Sequence, residues 1–348
     1  KGEKEMADWI ENWRRERNIP CQSDHAGEAY GGNGRNIVAF VKGNTKERPL
    51  GFAAHMDQIE PCRNVNPVIN GNIISTDKTT TLGGDDKAGI SAIMEAVEDI
   101  IESGVPHRDI YLVFTCSEEI SMMGTKHMDM SMLPCKELVV VDATGGAETL
   151  AYKAPAMEAI EITFKGKKAH AGIEPEKGIN AIVVASKAIS KMHIGRIDYE
   201  TTSNIGHIEG GSATNIVTDE VTFTAEIRSH SMEKLAAEVA HREQCCKEAV
   251  EEMGACYEMK HEMAYPVLSL EEDCELIQDT VNAMAEERIT ANKMIIGGGS
   301  DANVLAGHGY KSVILGCGMI NVHTVEEALD TDETWKVTKV LRRLMGAE

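Results

Sequence analysis

Short apolar runs alternate with amphipathic stretches in the first and last parts of the chain. Near-continuous apolar runs are typical of strands that are buried on both faces of a sheet. They predict strands over 36–43, 49–57, 109–119, 137–143 and, near the end of the chain, 311–318. Apolar residues at helical spacing predict a helix after "GGDD", and further helices are predicted over 269–287 and after Asp330. This alternation predicts an α/β layer architecture.

The middle of the chain follows a different pattern. Its predicted elements are strands over 157–168, 203–211, 220–229 and 256–265 and helices over 177–192 and 231–254. Their order is β-α-β-β-α-β, which is the ferredoxin-like pattern. Pro155 and Pro266 lie at its two ends and are typical of turns between domains. We therefore expect a discontinuous domain of residues 1–154 and 266–348, with a second domain of residues 155–265 inserted into it.

Apolar residues make up 42% of the chain, which is enough for a full core, and no apolar run is long enough to span a bilayer. No secretory signal peptide is recognisable. The first residues already have an amphipathic pattern, with Met6, Trp9, Ile10 and Trp13 at helical spacing. We therefore expect that a short segment precedes this chain in the complete protein.

The formal net charge is −21, so the surface repels phosphate groups, and nucleic acids and anionic membranes are poor candidate partners. The nine cysteines are scattered and include no CxxC spacing. Neither a disulfide framework nor a thiolate zinc site is predicted, and we expect a reducing, cytoplasmic location. Any bound metal should therefore have histidine and carboxylate ligands.

Side chains that can bind metal occur at five places, at the ends of predicted strands or in the loops just beyond them. They are His55 and Asp57, Asp85 and Asp86, Glu118 and Glu119, Asp142, and His323. In open α/β sheets, ligands bind at the carboxyl ends of the strands. We therefore expect these side chains to converge, although they are far apart in the sequence.

Each of these residues also has an ordinary explanation. Glu118 and Glu119 could form a charged corner where a strand reaches solvent. Asp85 and Asp86 could cap the helix that follows them. The remaining alternatives are a core position for His55, the start of a turn for Asp142 and a helix cap at 324 for His323. Convergence on one site explains all five places together, whereas the ordinary explanations must each apply independently.

A hydrolytic site with two metal ions fits this set of side chains. Zinc accepts imidazole nitrogen and carboxylate oxygen at roughly 2.0–2.2 Å. Two ions about 3.5–4 Å apart require a bridging carboxylate and can share a water. A further acid must stay off the metal to accept the proton of that water. The adjacent Glu118 and Glu119 can divide these tasks, because successive side chains point in different directions.

Eight motifs follow one another along the chain in the order "HMD", "GGDDKAG", "SEE", "VVVDA", "KAHAG", "GGSATNIV", "EIRS" and "GGGSDAN…H". In this order they resemble the co-catalytic zinc peptidases of the peptidase T and glutamate carboxypeptidase family, over nearly the whole chain. The segment "RNVNPVI" at 63–69 resembles the part of peptidase T that follows the first metal-binding histidine. The resemblance implies a zinc-peptidase catalytic domain with a mixed, largely parallel sheet. It also implies an inserted ferredoxin-like α+β domain for lid closure and dimerisation.

The resemblance implies a metal ligand set as well. By motif, His55 and Asp142 would bind one zinc ion, Glu119 and His323 would bind the other, and Asp85 would bridge the two.

Other residues receive catalytic or binding roles from the same resemblance. Glu118 would be the general base, and Asp57 would orient His55. His170 would help to hold the oxyanion, in the active site of the partner subunit. Asn215 and Arg228 would bind the polar backbone or the carboxylate of the substrate, although a strand-end salt bridge is the alternative for Arg228.

Two details of the sequence indicate which branch of this peptidase family the chain resembles. In this family, aspartate at the position of Asp142 accompanies aminopeptidases, and glutamate accompanies carboxypeptidases and deacylases. Only 30 positions separate His55 from Asp85, which is too few for the domain that the glutamyl aminopeptidase family carries there. This favours the peptidase T branch. Gln58 departs from the pattern, because peptidase T has threonine at this position. The exact substrate therefore stays undetermined.

The expected protein is a metallo-aminopeptidase that removes the N-terminal residue of short peptides, as a tripeptide aminopeptidase does. A carboxypeptidase, a dipeptidase or an N-acyl amino acid deacylase on the same scaffold is the alternative. We expect two divalent ions, with zinc first and manganese or cobalt also compatible with the ligands. We also expect a homodimer formed through the inserted domain. A binding module that has lost its chemistry is a further rival, but the complete ligand set with Glu118 argues against it.

Overall fold

The computed structural model describes residues 2–346 of the chain. The strands are β1 (Cys21–Ser23), β2 (Ile37–Val41), β3 (Leu50–His55), β4 (Pro67–Asn70), β5 (Ile73–Thr76), β6 (Ile110–Thr115), β7 (Glu137–Thr144), β8 (Thr149–Ala154), β9 (Ala156–Lys165), β10 (Gly195–Arg196), β11 (Thr201–Gly210), β12 (Glu220–Ser229), β13 (Cys256–Tyr265), β14 (Leu268–Ser269), β15 (Asn292–Ile295), β16 (Lys311–Ile320) and β17 (Ala328–Asp330). The α-helices are α1 (Lys4–Glu16), α2 (Gly84–Ser103), α3 (Met123–Lys126), α4 (Ala181–Ile189), α5 (Met232–Met253), α6 (Glu275–Glu286), α7 (Asp301–Gly307) and α8 (Thr331–Leu344).

These elements form two compact units. Within the described residues, the first contains 2–153, 268–296 and 300–346, and the second contains 154–267 and 297–299. No helix within residues 2–346 combines the length and the apolar character that crossing a bilayer requires.

The first unit is built on one large mixed sheet. Its main path runs β1-β2-β6-β3-β7-β16-β17-β5-β4, and β8, β14 and β15 pair beside β16. The central strands β6, β3, β7 and β16 are parallel to one another. Every residue of β3 is buried, and β7 and β16 are buried over most of their length, as expected for strands covered on both faces. The carboxyl ends of these four strands therefore lie side by side at one edge of the sheet.

Helices α2 and α8 pack against each other and against this sheet. The buried side of α2 includes Ile90, Ile93, Val97 and Ile100, which are at most 1% exposed. This is the apolar stripe that predicts the helix in the sequence. The amino end of α2 is thereby held near the carboxyl ends of the parallel strands.

The second unit is an antiparallel sheet with two helices. The strand order is β10-β11-β12-β9-β13, and successive residues of β9 are alternately buried and half-buried. Helices α4 and α5 contact each other and the sheet, and the core between them contains Phe164 and Phe223. Apart from the two-residue β10, the chain order is β-α-β-β-α-β. The predicted fold class, a mixed α/β catalytic domain with an inserted ferredoxin-like domain, is confirmed.

Several predicted boundaries were wrong, for identifiable reasons. The helix predicted over 269–287 begins at Glu275, because Leu268 and Ser269 form the short strand β14. The helix predicted over 177–192 is Ala181–Ile189, since the Asn180 side chain caps it and accepts hydrogen bonds from the first turn.

Two strands also end earlier than predicted. The strand predicted over 49–57 ends at His55, and the one predicted over 109–119 ends at Thr115. The acidic residues that follow them, Asp57 and Glu118–Glu119, therefore lie on loops. Strand β8 and the β4–β5 hairpin were not predicted, because they carry little apolar–polar alternation and because β4 and β5 have only four residues each.

Candidate metal centre

The predicted metal ligands of the first unit come together at the carboxyl edge of its parallel strands. His55 is the last residue of β3, Asp142 lies near the end of β7, and Glu119 follows β6. His323 follows β16, and Asp85 lies at the start of α2. The fold thus converts five places that are distant in the sequence into one cluster.

Asp85 lies at the centre of this cluster and faces two imidazoles. Its Oδ1 is 2.9 Å from Nε2 of His55, and its Oδ2 is 3.2 Å from Nε2 of His323. Asp142 Oδ1 lies 3.7 Å from the same nitrogen of His55, and Glu119 Oε2 lies 3.1 Å from that of His323. The two oxygens of Asp85 therefore face different imidazoles, and ligand atoms of His55, Asp85 and Glu119 also lie within 4.8 Å of one another.

Asp57 contacts both His55 and the backbone of the loop after β6. Its Oδ1 lies 3.3 Å from Nδ1 of His55, so Nε2 of the ring is left to face Asp85. The same carboxylate accepts the backbone N–H groups of Glu118, at 2.9 Å, and Glu119, at 3.1 Å. Burial opposes ionisation of Asp57, but His55 and these N–H groups outweigh it and lower its pKa.

Asp86 has a different task from its neighbour Asp85. Its Oδ1 accepts the N–H of Gly89 at 3.1 Å, which caps the first turn of α2, and its Oδ2 accepts the N–H of His55 at 3.2 Å. Neither Asp85 nor Asp86 has helical backbone angles, so the regular helix starts after them. Candidate ligand atoms of Asp86, His55 and Asp142 also lie within 4.8 Å of one another. The helix-cap explanation thus applies to Asp86 and not to Asp85.

His323 lies in a turn, and the alternative that it caps a helix at 324 is wrong. The segment after it leads through turns into β17. His323 has a left-handed backbone, with φ of 65°, which is uncommon for a residue other than glycine. Such conformations persist where surrounding contacts enforce them, and they concentrate at functional sites.

Glu118 is buried beside this cluster and is only 8% exposed. Among residues 2–346, no side chain forms a hydrogen bond or an ion pair with its carboxylate. Burial, and after it the charge of Asp142, raises its pKa well above the ordinary value. The corner explanation for Glu118 and Glu119 is therefore wrong, because Glu118 is buried and Glu119 contacts His323.

The electrostatics of the cluster fit a bound cation. Burial raises the pKa of Asp142 well above its ordinary value, and burial together with Asp85 raises that of Glu119. Asp85 is the exception, because His323 and His55 outweigh the effect of burial and lower its pKa. Glu119 Oε1 is buried without a hydrogen-bond partner among the described residues. Two imidazoles and several carboxylates are a donor set that suits zinc and also manganese or cobalt.

Three buried groups near the cluster were not assigned a role from the sequence. Asp301 accepts hydrogen bonds from the hydroxyl groups of Thr115 and Thr125, and Lys87 Nζ donates to the carbonyl oxygen of Asp57 at 3.3 Å. Glu327 accepts three backbone N–H groups. Asp301 and Lys87 belong to motifs that the sequence singles out, whereas no residue pattern distinguishes Glu327 from its exposed neighbour.

The residues predicted to contact substrate all lie in the second unit. His170 is exposed and pairs with Ile216 in an isolated bridge, and the N–H of Ala171 donates to the carbonyl oxygen of Asn215. His170 and Asn215 are thus on neighbouring segments.

Arg228 lies elsewhere in the second unit, on β12. Its guanidinium forms two hydrogen bonds with Glu226, at 2.9 and 3.0 Å, and a third with the carbonyl oxygen of Gly297. The salt bridge considered as an alternative for Arg228 is therefore present. A substrate carboxylate would have to compete with Glu226 for this guanidinium.

Gln58, the departure from the peptidase T pattern, points to a neighbouring loop. Its side-chain amide donates to the hydroxyl group of Thr81 at 2.9 Å and to the carbonyl oxygen of Thr81 at 3.2 Å. These contacts give Gln58 a structural task beside the cluster.

Comparisons with known proteins all point to peptidases. A model of the M20 peptidase dimerisation domain matches residues 158–254, and a model of a different family, the M42 glutamyl aminopeptidases, matches residues 64–172. The uncharacterized protein YqjE of Bacillus subtilis is 38% identical, over 93% of this chain and 87% of that protein.

Two solved structures are similar over nearly their whole length. Aminopeptidase PepT of Bacillus cereus is 33% identical and has a TM-score of 0.92, and the match covers 99% of this chain and 92% of that one. A tripeptidase of Staphylococcus aureus is 32% identical, with a TM-score of 0.94 over 98% of this chain and 91% of that one.

Because a bound cation would offset the buried negative charge, divalent ions should stabilise the fold. We expect Zn²⁺ or Mn²⁺ at about one hundred times its dissociation constant to add about 2.7 kcal/mol to the free energy of unfolding. The measurement is the thermal unfolding midpoint of metal-free protein with and without added ion. Asp85→Asn and His323→Ala should abolish most of the increase, whereas the exposed control Asp77→Asn should retain it. Equal increases in all four proteins would contradict a metal centre at this cluster.

Proposed function

Because the chain belongs to the M20 peptidase family as a peptidase T-like member, we propose that it removes the N-terminal residue of short peptides, with tripeptides as the main substrate class. The relatives named aminopeptidase and tripeptidase support this reaction class. Aspartate at position 142 supports an aminopeptidase over a carboxypeptidase or deacylase, as the family pattern implies.

The observation that carries the proposal is that the two oxygens of the Asp85 carboxylate face different imidazoles. Its two oxygens face the imidazoles of His55 and His323 at 2.9 and 3.2 Å. In the proposed centre, His55 and Asp142 would hold one ion, Glu119 and His323 would hold the other, and Asp85 would contribute an oxygen to each. Bound as a pair, two zinc ions would lower the pKa of a shared water and polarise the carbonyl group of the substrate.

Glu118 has the properties of the general base in this reaction. Its carboxylate is buried beside the ligands and has no side-chain partner among residues 2–346, so it is available to the attacking water. In the proposed cycle, a Glu118 carboxylate oxygen takes the proton from water and then delivers it to the nitrogen of the leaving amine. Asp57 supports both steps, because it holds the backbone of Glu118 and orients His55.

The second unit supplies the substrate contacts in this proposal. His170 donates its ring N–H to the developing oxyanion, and Asn215 and Arg228 bind the polar backbone or carboxylate of the peptide. The match to a peptidase dimerisation domain supports a homodimer through this unit, in which His170 serves the site of the partner subunit. In the same proposal, the enzyme works on cytoplasmic peptides.

A substrate panel tests the reaction class. Metal-loaded protein is incubated with free tripeptides, N-blocked tripeptides, dipeptides and N-acyl amino acids, and the products are identified by mass. We expect release of the N-terminal residue from free tripeptides and little reaction with the blocked ones, because the free amine is part of the recognised group. Preferred hydrolysis of N-acyl amino acids would instead favour a deacylase, and release of the C-terminal residue would favour a carboxypeptidase.

The neighbouring glutamates provide a matched pair for the proton transfer. Glu118→Gln should lower kcat by roughly 10²–10⁴-fold, since it removes the base, while bound metal stays at the wild-type amount. Glu119→Gln should lower the bound metal as well, because it removes a proposed ligand. Both quantities are measured on the same preparations, by steady-state kinetics and elemental analysis. A Glu118→Gln enzyme with near-normal kcat would exclude this role.

Hybrid dimers test the contribution of His170 across subunits. His170→Ala and Glu118→Gln homodimers should each be nearly inactive. Co-expression of the two chains should restore roughly a quarter of wild-type activity, because half of randomly assorted dimers are hybrids with one intact site. If His170 acts within its own chain, or if the protein is a monomer, the mixture should show no activity beyond that of the separate variants.

A further inference from the structure

Glu327 connects the two loops that carry Asp85 and His323. It lies four residues after His323 and is only 2% exposed. Its Oε2 accepts the N–H groups of Leu82, at 2.7 Å, and Gly83, at 2.9 Å, and its Oε1 accepts the N–H of Asp85 at 3.0 Å. The Glu327 carboxylate thus binds the backbone of Asp85, and Glu327 lies on the same segment as His323.

The three N–H groups lie just before the regular part of α2. Backbone donors at the start of a helix have no partner within the helix, and a negative charge there is favourable. Gly83 has a left-handed backbone, with φ of 77°, and an added Cβ would meet the side chain of Gln58. The path of this segment is therefore tightly constrained, and Glu327 is the group that pairs its donors.

The two halves of the metal centre differ in how they are held. His55 and Asp142 lie on strands, where ladder hydrogen bonds fix the backbone. Glu119 lies on a loop that Asp57 holds by its N–H. His323 lies in a turn, and its side chain is half exposed. The contact between Glu327 and the Asp85 backbone therefore links the turn that carries His323 to the segment that carries Asp85.

We propose that Glu327 is a positioning residue that sets the distance between Asp85 and His323 and thereby the affinity for the second metal ion. This inference rests on the proposed two-ion centre. It assigns Glu327 no contact with substrate or metal. A cap that only stabilises α2 would leave the metal affinities unchanged.

Glu326 provides the matched control for this residue. It is the adjacent glutamate, but its side chain is more than half exposed and forms an ion pair with Lys78 at 2.6 Å. Glu327→Gln keeps the size of the side chain and places an amide group against backbone donors, so at least one of the three hydrogen bonds is lost. Glu326→Gln makes the same chemical change without touching the Asp85 segment.

The experiment is a titration of metal-free protein with Co²⁺, followed by calorimetry and by the visible absorption of the bound ion. We expect wild type and Glu326→Gln to bind two ions. In Glu327→Gln the second ion should bind roughly 10–100-fold more weakly, and the first, which keeps the strand-borne ligands His55 and Asp142, should be weakened less. The absorption of the second ion should change as well. The thermal midpoint of each metal-free protein is measured in parallel.

A second variant approaches the same contact from the opposite side. A Cβ at Gly84 would lie 3.2 Å from Oε1 of Glu327, so Gly84→Ala should displace this carboxylate and also weaken the second ion. It provides the test if Glu327→Gln does not fold. Unchanged affinities for both ions in the folded variant, with or without a lower midpoint, would overturn the positioning role. A wild-type protein that binds fewer than two ions would overturn the proposed centre itself, and this inference with it.

Discussion

Buried negative charge at the carboxyl edge of the parallel strands is the constraint on which the rest of the centre depends. Removing a carboxylate from water costs several kcal/mol unless partners compensate for it. Here Asp85, Glu118, Glu119 and Asp142 lie together, and their compensation is uneven. The imidazoles lower the pKa of Asp85, whereas burial raises the pKa of the other three. Ionisation of Glu118, Glu119 and Asp142 is therefore unfavourable in the protein alone, and divalent cations would offset this cost.

A site with this charge needs rigid support, and other carboxylates provide it. Asp57 accepts the N–H groups of Glu118 and Glu119, Asp86 accepts those of Gly89 and His55, and Glu327 accepts those of the segment before α2. The loops at the ends of β3, β6 and β16 are thereby tied to one another through side chain–backbone bonds.

The long, strongly patterned elements could be predicted from the sequence. The apolar runs of β7 and β16 and the helical stripe of α2 match their predictions closely, because burial on both faces or on one face gives a periodic pattern of apolar residues. The apolar parts of β3 and β6 were also predicted, but their carboxyl ends were placed two and four residues too far along the chain. The start of α6 could not be predicted, since strand β14 is only two residues long and its pairing depends on β8.

Within the candidate site, residue type decided what could be predicted. His55, Asp85, Glu118, Glu119, Asp142 and His323 could be proposed from strand-end positions and motif spacing, and the structure brings them together. Glu327 could not be found in this way, because its partners are backbone N–H groups more than 240 positions away. Backbone donors have no side-chain identity, so no motif in the sequence records them. The hydrogen bonds of Arg228 with Glu226 could not be predicted either, because they depend on local geometry.

Three pairs of adjacent acids show how the same residue types acquire different tasks. In Asp85–Asp86, the first carboxylate faces two imidazoles and the second accepts backbone N–H groups. In Glu118–Glu119, the second contacts His323 and the first has no side-chain partner within residues 2–346. In Glu326–Glu327, the first pairs with an exposed lysine and the second accepts a hydrogen bond from the Asp85 backbone. Successive side chains outside a helix diverge, so a pair of acids can reach two environments from one point of the backbone. An acid whose oxygens are satisfied by backbone N–H groups supports the site, and one that is buried without such partners is left to bind a cation or move a proton.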